Sequence, residues 1–208
     1  MSLNRYLVLF CAAAIILSSC HSRKAALKSD SGVAAGPPTY ITDPTRMVVR
    51  RIPPEHIIPS SDIMDKYSQL MGVKKNDITD GRLYNFIETW TGTPYRFGGL
   101  DREGIDCSGF ALLLEQQVYA IPLPRTTKLQ VSVINRKYEN ELKEGDLVFF
   151  DFDGKQFSHV GVYLQNGYIV HASTTKGVIV VPLHGAIYKY FSRAGSIPVV
   201  DSVVVAQN

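Results

Sequence analysis

GIDCSGF, residues 104–110, places a cysteine at the head of an apolar helix. Asp106 is a natural N-cap, so the helix is predicted to begin at or just after it. Cys107 then stands in the first turn, where the positive end of the helix dipole stabilises a thiolate and lowers the pKa of the thiol. The first-turn amides can also bind a developing oxyanion. Apolar side chains at helical spacing follow: Phe110, Leu113, Leu114 and Val118.

The segments on either side of this helix predict an α+β fold. Two short helices are predicted before it, at about residues 61–71 and 80–90, with caps at Ser61-Asp62 and at Asp80. After it, β-branched and aromatic residues predict strands throughout. These strands are DLVFFDF (146–152), SHVGVYLQNGYIVHAS (158–173), GVIVVPL (177–183) and RAGSIPVV (193–200). Helices followed by an antiparallel sheet are typical of the α+β class.

Two of the five histidines are candidates for the base that a cysteine nucleophile needs. His159 and His171 lie on the two arms of a hairpin predicted around Asn166-Gly167. Side chains alternate faces along a strand, so the two rings share a face only if the loop has an odd length. A three-residue loop, 165–167, is a known hairpin form that pairs Gly161 with His171. We therefore predict this loop, with His159 as the base and His171 as its orienting partner.

No metal, cofactor or nucleic acid is expected. A zinc site made of Cys107, His159 and His171 is the other use of these residues, but it lacks a fourth ligand and the short paired spacing of structural zinc sites. The net charge of +3 is small for 208 residues, and no basic stripe is interleaved with aromatic residues.

The first twenty residues, MSLNRYLVLFCAAAIILSSC, predict an export signal. Arg5 precedes an apolar run from Tyr6 to Leu17, which is too short for a transmembrane helix of ~20 residues. The run ends in LSSC, which resembles the bacterial lipobox, where cleavage exposes a cysteine that carries lipid. We predict a signal peptide over residues 1–19 and a lipid anchor on Cys20. An ordinary secretory signal with a chance cysteine is the alternative.

Composition divides the remainder of the chain into three parts. Residues 20–58 are rich in Ser, Ala, Gly, Pro and charge and predict a flexible tether. Residues 59–80 predict a short helical extension, and residues 81–202 a catalytic domain. Once Cys20 is acylated, Cys107 is the single free thiol, and exported proteins usually pair or lack their cysteines. An unpaired thiol indicates a reactive role, with a buried inert one as the alternative.

Six motifs, taken in order, resemble the series of the NlpC family of bacterial cell-wall cysteine peptidases. They are TPYRFGG, GIDCSGF, LPRTT, EGDLVFF, HVGVYL and VHAS. The resemblance covers about residues 82–198 and implies a papain-like fold, in which a helical part carries the cysteine and an antiparallel sheet carries the histidines. It implies a triad of Cys107, His159 and His171.

The same resemblance assigns roles around the triad. Tyr95 matches the active-site tyrosine of the family, which donates to the oxyanion or the substrate. Asp106 and Ser108 flank the nucleophile as in family members that bind the stem peptide of peptidoglycan. Arg125 falls in the LPR element and is expected to be structural or to lie at the rim of the groove.

The activity that the resemblance implies is hydrolysis of amide bonds in murein stem peptides or their cross-links, through a thioester, with D,L and D,D specificity both open. The export signal and anchor place the enzyme in the cell envelope. His21, rather than Asp, follows Cys20, which favours the outer membrane, facing the periplasm. We expect a monomer. The alternatives are a catalytically idle peptidoglycan-binding lipoprotein, and a thiol hydrolase or acyltransferase that acts on another acyl substrate.

Overall fold

The computed structural model describes residues 57–198. The predicted signal peptide, Cys20 and nearly all of the predicted tether lie outside the described residues, as do residues 199–202 of the predicted catalytic domain. Within the described range, no helix is long and apolar enough to cross a membrane.

Residues 57–198 form helices around an antiparallel sheet, which confirms the α+β class. The α-helices are α1 (Ser61–Met71), α2 (Gly81–Trp90), α3 (Cys107–Tyr119) and α4 (Thr127–Ser132). The strands are β1 (Leu100–Asp101), β2 (Gly104–Ile105), β3 (Asn135–Lys137), β4 (Leu147–Phe150), β5 (His159–Tyr163), β6 (Tyr168–Ser173), β7 (Gly177–Pro182) and β8 (Phe191–Ser196). Strands β1 and β2 pair with each other, and the others form a six-stranded sheet in the order β3-β8-β4-β5-β6-β7.

Helices α1 and α2 begin and end within a residue of the predicted positions. The side chain of Ser60, one residue before the predicted cap, caps α1, and Gly72 ends the helix with a left-handed φ of 66°. Asp80 caps α2 as predicted. The rings of Tyr67 and Tyr84 join the two helices, with centroids 4.7 Å apart. Both rings belong to the main hydrophobic core, so the helical extension packs on the rest of the fold.

The sheet separates two hydrophobic cores. On one face, α3 packs against β5 and β6, and the strands contribute side chains such as Val160, Val170 and Ala172. On the other face lies a smaller core that contains Val148, Phe150, Ile169, Leu183 and Ala194. Because side chains alternate along a strand, His159 and His171 lie on the face of the smaller core. Their backbone nevertheless runs directly under α3.

The prediction of strands alone after α3 is wrong at residues 127–132, which form α4. Six residues are too few to display a helical period, and an isolated helix of that length is unstable in water. The helix exists because Val131 and Gln130 are buried against the rest of the chain. The β1–β2 ribbon was also not predicted, because a strand of two residues is too short to show an alternation of apolar and polar side chains.

The β5–β6 hairpin has the predicted odd loop. The ladder pairs Val162 with Val170, which leaves residues 165–167 as a three-residue loop. Asn166 and Gly167 adopt left-handed φ angles of 49° and 72°. The register places His159 and His171 on one face of the sheet, as the sequence predicted.

Gly177 supports the start of β7 against the segment that leads to Tyr95. Its φ is +70°, and an added Cβ would lie 2.3 Å from the carbonyl oxygen of Thr93. Gly167 has a similar φ of +72° with nothing within 4 Å. We expect Gly177→Ala to lower the free energy of unfolding by about 3 kcal/mol, and Gly167→Ala by about 1 kcal/mol from backbone strain alone. Urea unfolding at neutral pH measures both losses. Equal losses would show that the contact with the Thr93 carbonyl adds no cost to the substitution at Gly177.

Candidate active site

Cys107 occupies the first position of α3. The Asp106 carboxylate caps the helix by accepting a hydrogen bond from the amide of Gly109 at 2.7 Å. The backbone N–H groups of Val160, Ser108 and Cys107 itself lie near enough to the sulfur to lower the pKa of the thiol. Val160 follows His159 directly, so the start of the helix lies against the start of β5. The Cys107 side chain is buried, and it is the free cysteine of the described residues.

Burial, and not the helix terminus, dominates the acidity of this thiol. Burial raises the pKa of Cys107 to about 11, an effect that the Val160 N–H opposes and the Asp106 charge reinforces. The first-turn amides of Ser108 and Cys107 lower this pKa, as expected, but removal of water from around the sulfur outweighs them, so the prediction of an acidic thiol is wrong for the free protein. The resting nucleophile is a neutral thiol that must pass its proton to a neighbouring base.

His159 and His171 form a buried, hydrogen-bonded pair. His159 Nε2 and His171 Nδ1 lie 2.7 Å apart, and the two rings are nearly perpendicular at 88°. Burial lowers the pKa of His159 to about 3, with a further contribution from His171, and lowers the pKa of His171 to about 4. Both imidazoles are therefore neutral at pH 7, and the hydrogen bond between them contains one proton.

A partly buried ionic network holds the start of α3. The Arg125 guanidinium donates to both oxygens of Asp106, at 2.9 and 2.8 Å, and the Gly98 amide donates at 2.8 Å. Ser108 Oγ donates to Asp106 at 3.1 Å and accepts from Arg125 at 2.9 Å. Burial opposes ionisation, but the Arg125 hydrogen bonds and the amides outweigh it and lower the pKa of Asp106. This network of Asp106, Ser108 and Arg125 thus positions the cysteine-bearing turn.

Tyr95 lies near Cys107 and Asp106. It pairs with Ile105, two residues before Cys107, in an isolated parallel bridge. Burial raises the pKa of Tyr95 to about 12, and the nearby Cys107 and Asp106 raise it as well. Its hydroxyl is therefore protonated at neutral pH and can donate a hydrogen bond.

Two residues that the sequence did not single out support the site. Gln130 of α4 is fully buried, and its Nε2 donates to the carbonyls of Ser108 and Pro124 at 2.9 and 2.8 Å. The ring of Phe152 packs on His159 with centroids 5.0 Å apart. A lone glutamine and a lone phenylalanine carry no signal of their own, because their roles depend on chain segments that meet only in the fold.

The predicted site residues within the described range therefore gather where α3 and β5 begin, whereas Cys20 lies outside that range. Across residues 57–198, no three side chains of His, Cys, Asp or Glu are grouped so as to hold a metal ion.

Comparison with known proteins identifies the family. The NlpC/P60 family model matches residues 92–195, half of the chain, including the cysteine-bearing turn and both hairpin histidines. This chain belongs to the NlpC/P60 family. The family match begins before β1 and ends at Gly195 within β8, and it leaves α1 and α2 outside it.

Two bacterial relatives share the NlpC/P60 region. "Probable endopeptidase NlpC" of Escherichia coli K12 is 46% identical over 94 residues, which are 45% of this chain and 61% of that protein. "Murein DD-endopeptidase MepS/Murein LD-carboxypeptidase" of the same strain is 32% identical over 130 residues, 62% of this chain and 69% of that protein. The match thus spans about three fifths of the first relative's length.

A solved structure supports the same fold. The NlpC/P60 family protein from Bacillus cereus ATCC 10987 superposes with a TM-score of 0.52 at 26% identity, covering 57% of this chain and 40% of that one. The NlpC/P60 domain of the present chain is accordingly papain-like: helix α3 carries the cysteine, and the antiparallel sheet carries the histidines.

The buried histidines of this NlpC/P60 domain predict a loss of stability in mild acid. Their folded pKa values lie below the ordinary value near 6.5, so the unfolded chain binds more protons between about pH 6.5 and pH 4. Stability is complete above pH 6.5 and falls toward pH 4, by about 1.4 kcal/mol per pH unit for each histidine. Urea unfolding at pH 7, 6 and 5 measures this slope.

The matched variant is His171→Gln, which removes one of the two titrating groups. We expect it to show about half of the wild-type slope. Burial raises the pKa of Glu144, so this residue stabilises the fold as the pH falls. Its contribution is the same in both proteins. Identical slopes in the two proteins would contradict a neutral histidine pair.

Proposed function

We propose that this protein is a peptidoglycan endopeptidase, a cysteine peptidase that hydrolyses amide bonds of stem peptides or their cross-links. The observation that carries the proposal is a thiol at the first turn of a helix, packed beside a strand that begins with one member of a hydrogen-bonded histidine pair. Family membership supports it, as do the names of the E. coli relatives, an endopeptidase and a murein endopeptidase.

His159 acts as the base through Nδ1, because its Nε2 is bound to His171. For Nδ1 to accept the thiol proton, Nε2 must carry a proton and donate it to His171 Nδ1. The sulfur of Cys107 then attacks the carbonyl carbon, and a C–S bond forms as the carbonyl oxygen becomes an oxyanion. The Cys107 amide and the Tyr95 hydroxyl donate hydrogen bonds to that oxygen.

The imidazolium of His159 next gives its Nδ1 proton to the leaving amine as the C–N bond breaks, which leaves a thioester on Cys107. A water molecule then loses a proton to His159 and attacks the thioester carbonyl. The C–S bond breaks, the carboxylic product leaves, and the proton returns to the sulfur. His171 accepts from Nε2 of His159 throughout and stabilises the imidazolium.

The proposal includes the cellular location. A signal peptide over residues 1–19, lipid on Cys20 and a tether over residues 20–58 would hold the enzyme at the outer membrane, facing the periplasm. The extension at 59–80 would precede a catalytic domain at 81–202, and the enzyme would act as a monomer on peptidoglycan. Radiolabelled palmitate should enter the wild-type protein and not a Cys20→Ala variant.

Product analysis tests the proposed reaction. The full chain, solubilised in mild detergent, is incubated with purified murein sacculi beside a Cys107→Ala variant, and the released fragments are identified by mass spectrometry. Cross-linked dimers that become monomers with intact stems indicate D,D-endopeptidase activity, and stems cut after glutamate indicate D,L-endopeptidase activity. Sacculi that stay unchanged in both samples contradict the proposal and favour an idle peptidoglycan-binding scaffold or another acyl substrate.

A further inference from the structure

A cavity of about 280 Å³ opens beside His171, on the face of the sheet that carries the histidine pair. Strand β7 supplies an apolar wall, with Ile179 directly opposite His171 in the ladder. The turn between β6 and β7 supplies hydroxyl groups and one cation, Lys176. The cavity thus has an apolar wall, an imidazole and a positively charged rim.

We propose that this cavity binds the leaving half of the substrate and that Lys176 binds a carboxylate on that half. The inference rests on the proposed function. In that reaction His159 delivers a proton to the leaving amine, so the leaving half departs on the histidine side of the cysteine. His171 lies within hydrogen-bond distance of His159 and also lines the cavity, so a single hydrogen bond separates the cavity from the base that protonates the leaving amine.

The size of the cavity suits a short leaving group. A volume of about 280 Å³ lies just below the range for small-molecule sites, about 300–1,000 Å³. Such a space accommodates one or two amino-acid residues and not a long strand. The apolar wall suits a small aliphatic side chain.

The turn that carries Lys176 is organised by its own hydrogen bonds. Ser173 Oγ accepts from the amides of Thr175 and Lys176, at 3.4 and 3.3 Å, and lies 3.3 Å from Thr175 Oγ1. Lys176 is exposed, and none of the ion pairs within residues 57–198 involves it. Its ammonium group is therefore available to a carboxylate at the mouth of the cavity.

This arrangement selects a class of amide bond. Two kinds of cleavage release an amine that has a free carboxylate close to the reacting nitrogen. One is the removal of a terminal residue, and the other is the cutting of a cross-link whose amine belongs to a residue with a free carboxylate. An amine from the middle of a peptide carries another amide at that position. The structure therefore favours leaving groups that carry a free carboxylate within about one residue of the scissile bond.

A pair of matched substrates tests the inference. Two synthetic stem peptides differ only in the last residue, which ends in a free carboxylate in one and in a carboxamide in the other. With the full chain we expect kcat/KM to favour the carboxylate substrate about fivefold. Lys176→Gln should remove this preference by lowering kcat/KM for the carboxylate substrate alone, and Lys176→Glu should reverse it.

Lys74→Gln is the matched control. Like Lys176→Gln, it removes one exposed positive charge. Lys74 follows Met71, whose carbonyl accepts a hydrogen bond from the side chain of Asn166 in the hairpin turn, so it lies at the other end of β5 and β6. It should keep the wild-type preference.

A preference that survives in Lys176→Gln, or an equal loss on both substrates, overturns the inference while the proposed function stands. If the wild type shows no Cys107-dependent cleavage of either peptide or of sacculi, the proposed function fails, and the inference fails with it.

Discussion

Replacement of Cys107 by alanine is expected to lower murein hydrolysis by about 10⁴-fold or more while the protein stays folded. No other side chain at the start of α3 can form the acyl intermediate, because Ser108 is bound into the Asp106–Arg125 network. The buried thiol packs as a small hydrophobic group, so its truncation should cost only about 1 kcal/mol of folding free energy. Fragment release from sacculi and the urea unfolding curve measure the two effects separately.

Histidine variants give the matched comparison for that result. His159→Gln removes the base and should lower the rate by about 10³-fold or more. His184→Gln removes an exposed histidine that contacts Glu139 and Tyr188 and does not line the cavity, and it should leave the rate unchanged within about twofold. Retained hydrolysis in Cys107→Ala, or equal losses in the two histidine variants, would contradict the mechanism.

Asp106→Ala is expected to lower the free energy of unfolding by about 3 kcal/mol. The substitution removes the N-cap of α3 and leaves the amides of Gly98 and Gly109 without their acceptor. It also leaves the Arg125 guanidinium without its carboxylate. Because the side chain of Arg125 is 33% exposed and that of Asp106 only 7%, water compensates part of this loss for the arginine.

Asp101→Ala is the control for a surface pair. Asp101 is bound to Arg96, and the two side chains are 57% and 48% exposed, so solvent screens this pair and its loss should destabilise the fold far less than the loss of Asp106. Arg125→Lys should fall between the two, because an ammonium group cannot bridge both carboxylate oxygens as a guanidinium does. Urea unfolding at pH 7 ranks the variants, and an Asp106→Ala loss no larger than that of Asp101→Ala would contradict a structural role for the network.

The features predicted correctly from the sequence are those that neighbouring residues control. Asp80 and Asp106 cap their helices because a carboxylate reaches amides three residues ahead whatever surrounds it. The odd hairpin loop follows from two adjacent residues, Asn166 and Gly167, that tolerate left-handed backbone. From that loop alone, strand alternation brings the histidines at 159 and 171 to one face.

Other features could not be predicted because they depend on segments that are distant along the chain. The six residues of α4 become helical because Gln130 bonds to the carbonyl of Ser108, 22 positions earlier. Arg125 reaches Asp106 across 19 positions, and sequence alone left its role open between structure and groove rim.

The sequence thus predicts which reactive groups the chain carries and in what order: a tyrosine, then a capped turn with a thiol, then a hairpin with two histidines. The sequence does not predict the pKa values of those groups. A first-turn position alone predicts an acidic thiol, but the folded chain buries Cys107 and raises its pKa to about 11, while it lowers those of His159 and His171. Burial is set by which surfaces meet when α3 packs on β5 and β6, so the protonation states of the site, and the cavity beside His171, exist only in the tertiary structure.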